Sequence, residues 1–376
     1  MRVHFDRWQE TVATYESWWK GELGRPIVNL SLIDSPDVAE ERLGRAPELP
    51  FETFTGSYPA DVSPEAIVDR WDWELASRRY VADGFPSIWP NFGAGVVAAM
   101  TGCEMLVRED TIWFEPKSIV PSGDLSIGPD VTTAVALRIA DIYRQAVALW
   151  GGVVQLGATD LGGTLDVLQS LFPSQRLALE LYDRPDEMNR LIWEVHAAWW
   201  AHFDAFQAIV AETNPGYTAW TPLLSRESYY MLQCDFAYMI GPDMFDEFVL
   251  PELTASCARL GRPFYHLDGE GQLIHLDKIL AIPGLAGVQW IPGDGAADVR
   301  HWPEIYGKIR DAGKLIQLFV GQSEAGLEIL DLLADQLGDL SGVAIIGDVR
   351  AGLDEEAARK ILERHAIPWL SQPEAG

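Results

Sequence analysis

The sequence predicts an α/β fold, a TIM (β/α)8 barrel with an irregular, loop-rich N-terminal half. Two observations carry this. Beyond about residue 150, short apolar runs alternate with amphipathic segments in a regular series, the pattern of βα units around a parallel sheet. With 376 residues and 48% hydrophobic content, the chain can also bury one large core, so 1–376 is read as a single domain. Residues 1–130 hold N-terminal helices, the first strand and insertions, and 150–370 hold the regular units.

Residues 5–20 read as an amphipathic helix with Trp8, Tyr15, Trp18 and Trp19 near one face. Pro26 to Leu32 is the first buried strand. A helix follows from Ser63 to Tyr80, started by a Ser cap and Pro64 at its first position. Residues 85–128 are loop-rich, with a strand-like piece at Thr111 to Phe114. The regular half starts with a strand at Val153 to Gly157 and helices to about Glu212. Tyr217 to Trp220 reads as the next strand, with a helix running to about Gly261. Four further strands are expected at Pro263 to Asp268, Gly287 to Ile291, Lys314 to Val320 and Val343 to Asp348. Their helices cover Gly271 to Ile282, Asp298 to Ala312, Glu324 to Gly338 and Leu353 to His365. Six such units, the first strand and one more in the irregular half would close a barrel. An open doubly wound sheet is the alternative, but no Gly-rich turn follows the first strand.

The net charge of −28 argues against nucleic-acid binding, which needs a basic footprint. No apolar run reaches the length of a membrane span, and the first eight residues lack a signal core, so a cytoplasmic location is expected. Cys103, Cys234 and Cys257 match neither a disulfide framework nor a zinc ribbon and are expected in the core.

In a β/α-barrel, catalytic groups sit at the C-terminal ends of strands. Those positions carry Asp160, Trp220, His266, Asp268, Gln289, Trp290 and Asp348. Carboxylates and imidazole bind metals or move protons, and indoles stack on flat or cationic ligands. Tyr265 to Gly271 is the most informative stretch, because a polar cluster ends a buried strand and glycines then let the backbone approach a ligand. The second His-Leu-Asp, at His275 to Asp277, falls in a helix and reads as packing or surface.

These residues carry a resemblance. Tyr265-His266-Leu267-Asp268-Gly269, followed by Gly287 to Gly293, resembles a branch of the uroporphyrinogen decarboxylase–like superfamily, which includes corrinoid- and coenzyme M-linked methyltransferases. Cys234 to Phe245 resembles its "D…isPemF…P" stretch, Gly157 to Leu161 its "GPFT" strand end, and Trp89-Pro90-Asn91-Phe92-Gly93 also fits. The resemblance implies catalytic Asp160, Asp235, His266 and Asp268, with Trp89, Asn91, Trp220, Tyr238, Gln289 and Trp290 binding substrate. The arginine-rich "MRQAGRY" motif of true uroporphyrinogen decarboxylases is missing, since the first strand leads into Ser31-Leu32-Ile33-Asp34. Methyltransferases of this branch hold zinc through His-x-Cys and a later Gly-Cys. This chain has His266-x-Asp268 and Gly347-Asp348 there, which implies a harder site of His266, Asp268 and Asp348, with zinc the first candidate. The implied activity is methyl transfer from a small methylated substrate to a corrinoid protein or a folate. No Asp-x-His-x-x-Gly corrinoid signature is present, so a corrinoid would ride on a partner. A metal-free decarboxylase and a non-catalytic ligand-binding barrel are the alternatives.

Overall fold

The structure, a computed structural model, describes residues 1–320, 326–350 and 354–370. Its strands are β1 (Ile27–Ile33), β2 (Arg78–Ala82), β3 (Ser87–Ile88), β4 (Cys103–Val107), β5 (Ile112–Pro116), β6 (Gln155–Leu156), β7 (Tyr229–Gln233), β8 (Arg262–Asp268), β9 (Gly287–Ile291), β10 (Leu315–Phe319) and β11 (Val343–Arg350). Seven of them form one sheet in the order β2-β1-β11-β10-β9-β8-β7. All neighbours in it are parallel except β1 and β2, an antiparallel pair. The short strands β3 and β6 pair in parallel, and β4 with β5 forms a separate antiparallel ribbon. The strand pairings among the described residues do not join into a closed ring. The bond from Asp83 N to the Val28 oxygen (2.9 Å) continues the β1–β2 pairing by one residue, and Ala158 N, just after β6, donates to the Thr218 oxygen (2.9 Å).

Several expected elements shift. The first helix is Trp8–Trp19, beginning later than expected. The helix from Pro64 stops at Ala76, and the chain reverses into β2, placing Arg78 to Tyr80 in the sheet. Tyr217 to Trp220 is not a strand; Tyr217 forms an isolated bridge with Ser225. The strand of that unit is β7, inside the stretch expected to be helical. Its run Tyr229-Tyr230-Met231-Leu232 is buried at every position, and such a run has no period to separate strand from helix. Only Gln155 and Leu156 pair where a strand was expected from Val153 to Gly157. The later units appear in place. Their helices are shorter, Leu276–Leu280 and Pro303–Asp311, each entered through a 3-10 turn. The helices observed as Ile329–Leu337 and Glu355–Arg364 were expected to begin at Glu324 and Leu353, which lie outside the described residues.

Side chains alternate across a strand, so register decides what meets inside. His266 on β8 lies opposite Gln233 on β7 and Gln289 on β9, and Gln289 lies opposite Gln317 on β10. Four polar side chains therefore form one row across the sheet. The intervening residues Leu267, Val288, Trp290, Ile316 and Leu318 are buried in the hydrophobic core. That core is one cluster running from Val3 to Ile367, and it includes the N-terminal Tyr15 and Trp18. Cys103, Cys234 and Cys257 are buried and free, as expected of small core residues. No helix among the described residues is long and apolar enough to cross a membrane.

Candidate functional site

The polar row builds the site. Gln289 Nε2 donates to Gln317 Oε1, and Gln289 Oε1 faces His266 Nδ1. In this orientation of the amide, the Gln289 oxygen accepts from Nδ1–H, which turns Nε2 toward Asp268. His266 Nε2 lies 3.9 Å from Asp268 Oδ2, two residues further along the same strand face. The edge of Trp220 packs against the imidazole, with ring centroids 5.1 Å apart.

Asp235 completes the cluster. It opens the short 3-10 helix Asp235–Met239 that follows β7. One ligand atom each from Asp235, His266 and Asp268 lie within 4.8 Å of one another. A carboxylate absent from the sequence reading holds Asp235 in place. Asp166 accepts from the backbone N–H groups of Asp235 (3.0 Å) and Phe236 (2.8 Å), anchoring that helix to the helix Thr164–Leu171. Gly163 supplies the close approach, because a Cβ there would sit 2.3 Å from the Gln233 carbonyl oxygen.

Asp160 lies on the loop after β6, buried, with Oδ1 accepting from Gly162 N–H at 2.9 Å. This is a local turn and not a helix cap, since the next helix starts at Thr164. Neighbouring bonds fix the loop: Thr159 Oγ1 donates to the Pro90 oxygen (2.6 Å), and Leu161 N–H donates to Tyr230 Oη (2.7 Å).

The electrostatics follow from this crowding. Desolvation pushes the Asp235 carboxyl up to about 7, with repulsion from Asp268 and Asp160 adding to it. Its side chain reaches the surface, but the surrounding protein still strips much of its water. Asp166 is pushed up to about 7, first by burial and then by Asp235. Asp160 rises to about 6 through burial, opposed by its backbone N–H bonds and by His266. All three carboxyls are thus held above the ordinary carboxylate range, Asp235 and Asp166 furthest.

The cluster opens into a cleft of about 550 Å³ lined by Asp235, Tyr238, Asp268, Glu270 and the Pro292–Ala296 turn. Tyr238 stands exposed at its rim. Trp89 and Trp220 instead line a more enclosed cavity of about 180 Å³.

Three expectations change. Asp348 does not join His266 and Asp268. It lies on β11, opposite Ser31, and pairs with Arg78 at 3.1 Å. Strand order explains this, since β9 and β10 stand between β8 and β11. Trp290 does not wall the pocket: it is fully buried on the opposite strand face and packs against Trp302 at 5.2 Å. Asn91 uses its side chain on backbone groups, donating to the Thr53 oxygen of an earlier loop (3.0 Å) and accepting from Gly93 N–H (3.1 Å). His275 is buried as packing, stacked on Phe245, with Nε2 at the Ala237 and Ile240 carbonyls.

Gln317 could have been found by carrying the period-2 alternation through β10. Asp166 and Arg78 gave no comparable signal, because their roles depend on contacts across long stretches of chain.

No protein-family model matches the chain, and the search of curated proteins finds no match. Among solved structures, the chain is similar to a methyltransferase from Methanosarcina mazei. The sequence identity is 12%, the alignment covers 95% of this chain and 98% of that one, and the TM-score is 0.58. At that identity the likeness describes the fold: this chain and that methyltransferase share an overall α/β arrangement along nearly their whole lengths.

Proposed function

We propose that this chain is a methyltransferase or demethylase of the uroporphyrinogen decarboxylase–like superfamily. It acts on a small methylated substrate and passes the methyl group to a corrinoid protein or a reduced folate. The single observation that carries this reading is the convergence of Asp235, His266 and Asp268 at one strand-end cluster. The fold shared with a methyltransferase supports it.

The donor set suits a divalent cation. His266 offers a ring nitrogen, and Asp268 and Asp235 offer carboxylate oxygens beside it. Ligands ~2.1 Å from a tetrahedral ion stand ~3.4 Å apart, so the 3.9 Å between His266 Nε2 and Asp268 Oδ2 closes with a small side-chain rotation. Crowded carboxylates that repel one another are also what a cation relieves. His266, Asp268 and Asp235 would therefore hold the metal, with Asp235 taking the place given to Asp348 in the sequence reading. One nitrogen and two oxygens admit zinc, iron or manganese. A bound metal would supply Lewis acidity toward the heteroatom that loses its methyl group.

The remaining groups have separable tasks. Gln289 and Gln317 orient the imidazole. Asp166 positions Asp235 through its backbone. Asp160, with its carboxyl near 6, would return a proton to the departing heteroatom as the carbon–heteroatom bond breaks. Tyr238 borders the entrance.

A second reading rests on a different observation. The Asp235 carboxyl, beside the imidazole, is raised to about 7, and a protonated carboxyl there can quench a carbanion without a metal. That is decarboxylase chemistry.

The two readings separate in one assay. The purified chain is incubated with methylated amines, ethers and thiols, with cob(I)alamin or tetrahydrofolate as acceptor, with and without zinc. Metal-dependent appearance of the methylated acceptor, lost in His266→Ala, supports methyl transfer. Carbon dioxide release from carboxylated substrates, unaffected by chelator, supports the lyase. Binding without turnover in either format would leave a ligand-binding barrel.

A further inference from the structure

The enclosed cavity of about 180 Å³ lies beside the cluster and shares Trp220 with it. Its wall includes Asn29 and Ser31 of β1, Arg78 of β2, Ser87, Trp89 and Asp348. Arg78 and Asp348 are the only charged residues lining it among those described. We propose that this cavity binds the carboxylate end of a small monocarboxylate substrate, with the Arg78 guanidinium as its anchor. The methyl-bearing end would then lie past Trp220, toward His266. This deepens the methyl-transfer reading and rests on it for the direction of the substrate.

Three observations lead there. First, Asp348 engages only one corner of the guanidinium, from Nη1 at 3.1 Å. Among the described residues, Arg78 Nε is buried without a hydrogen-bond partner. The Nε–Nη2 edge is the side of arginine that grips a carboxylate with two parallel bonds. Second, the buried side-chain atoms left unpaired on this wall are Arg78 Nε and Trp220 Nε1, both N–H donors. Buried unpaired donors are costly to leave so, and an acceptor group on a ligand would satisfy them. Third, the half-exposed Asp348 carboxylate neutralises Arg78 when no ligand is bound, and it can turn toward solvent when a ligand carboxylate arrives.

The cavity also limits the ligand. Its volume of about 180 Å³ suits a small group. A single arginine suits one carboxylate, and the Asp235, Asp268 and Asp160 carboxylates beyond Trp220 would repel a second. They favour instead an uncharged methylated group, whose heteroatom keeps a lone pair for a metal held by the cluster. The substrate class is thus a short acid carrying an N-, O- or S-methyl group.

Binding is tested by calorimetry on the full chain, without acceptor. The probes are N,N-dimethylglycine, methoxyacetate and 3-(methylthio)propionate, each compared with its primary amide. We expect at least one acid to bind 10-fold or more tightly than its amide, and Arg78→Gln to abolish that preference. The comparison within the wild-type chain stands even if Arg78→Gln misfolds. Arg78→Lys keeps the charge but loses the fork, and should retain only part of the preference. Equal affinity for every acid and amide, or no binding of any acid, would overturn the proposal. Because no turnover is measured, acid binding without methyl transfer would sink the proposed reaction alone. Methyl transfer from a substrate lacking a carboxylate, with no acid bound, would sink this inference alone.

Discussion

His266 owes its chemistry to two glutamines. The Gln317–Gln289–His266 chain sets which nitrogen of the imidazole faces the cleft. Replacing Gln289 with Leu removes that orientation while keeping similar volume. It should weaken metal binding about 10- to 100-fold, the usual cost of losing a supporting hydrogen bond behind a ligand. Competition with a fluorescent chelator reads this directly, and unchanged affinity would show that the glutamine row is only packing. Asp160 tests the electrostatics. Its carboxyl is raised from 3.8 to about 6 by burial, so the folded chain holds this proton more tightly than the unfolded chain does. The associated stabilisation is present at low pH and is lost as pH rises from about 4 through about 6. Asp160→Asn keeps the acceptor for Gly162 N–H but cannot ionise. Denaturant unfolding should find the variant more stable than wild type at pH 8, by about 2 to 3 kcal/mol, and equal at pH 3. A constant difference at both pH values would contradict the assigned burial effect.

At the scale of elements, the site depends on a tight crossing of two loops. Gly162 has φ +79°, and a Cβ on it would lie 2.4 Å from Gly95 Cα. Gly162→Ala would meet both a strained backbone and a backbone clash. It should cost at least about 2 kcal/mol and lower the thermal midpoint, with Gly295→Ala as a control of similar φ in open space. Equal losses in the two variants would mean that strain alone acts and the crossing is unimportant. The elements were unevenly legible in the sequence. β8, β9, β10 and β11 stand where short apolar runs bounded by Gly and Pro place them. β7 was hidden because full burial erases the alternation that marks a strand. β2 was hidden because Arg78-Arg79-Tyr80 continues the helical pattern of the preceding segment, and only pairing with β1 draws it into the sheet. The site followed the same division. His266 and Asp268 could be found from one strand end, and Asp235 from its motif. Asp348 was grouped with them from local sequence, whereas strand order, which local sequence does not contain, sets it opposite Ser31 and beside Arg78.

For the whole molecule, a net charge of −28 means that the fold is held against its own repulsion. Salt screens this repulsion, so thermal midpoints should rise by a few degrees between low and moderate ionic strength. A midpoint independent of salt would mean that local ion pairs already balance the field. The same charge bears on ligands. Carboxylates gathered at one end of the sheet attract cations, and Arg78 is the local exception that would admit a single anion. The central claim is that His266, Asp268 and Asp235 form a metal site at that end. Elemental analysis of the chain purified without chelator, beside a His266→Ala, Asp268→Ala double variant, tests it most directly. The account predicts near-stoichiometric metal in the wild-type chain and none in the variant. A metal-free wild-type chain, or equal metal in both, would contradict it.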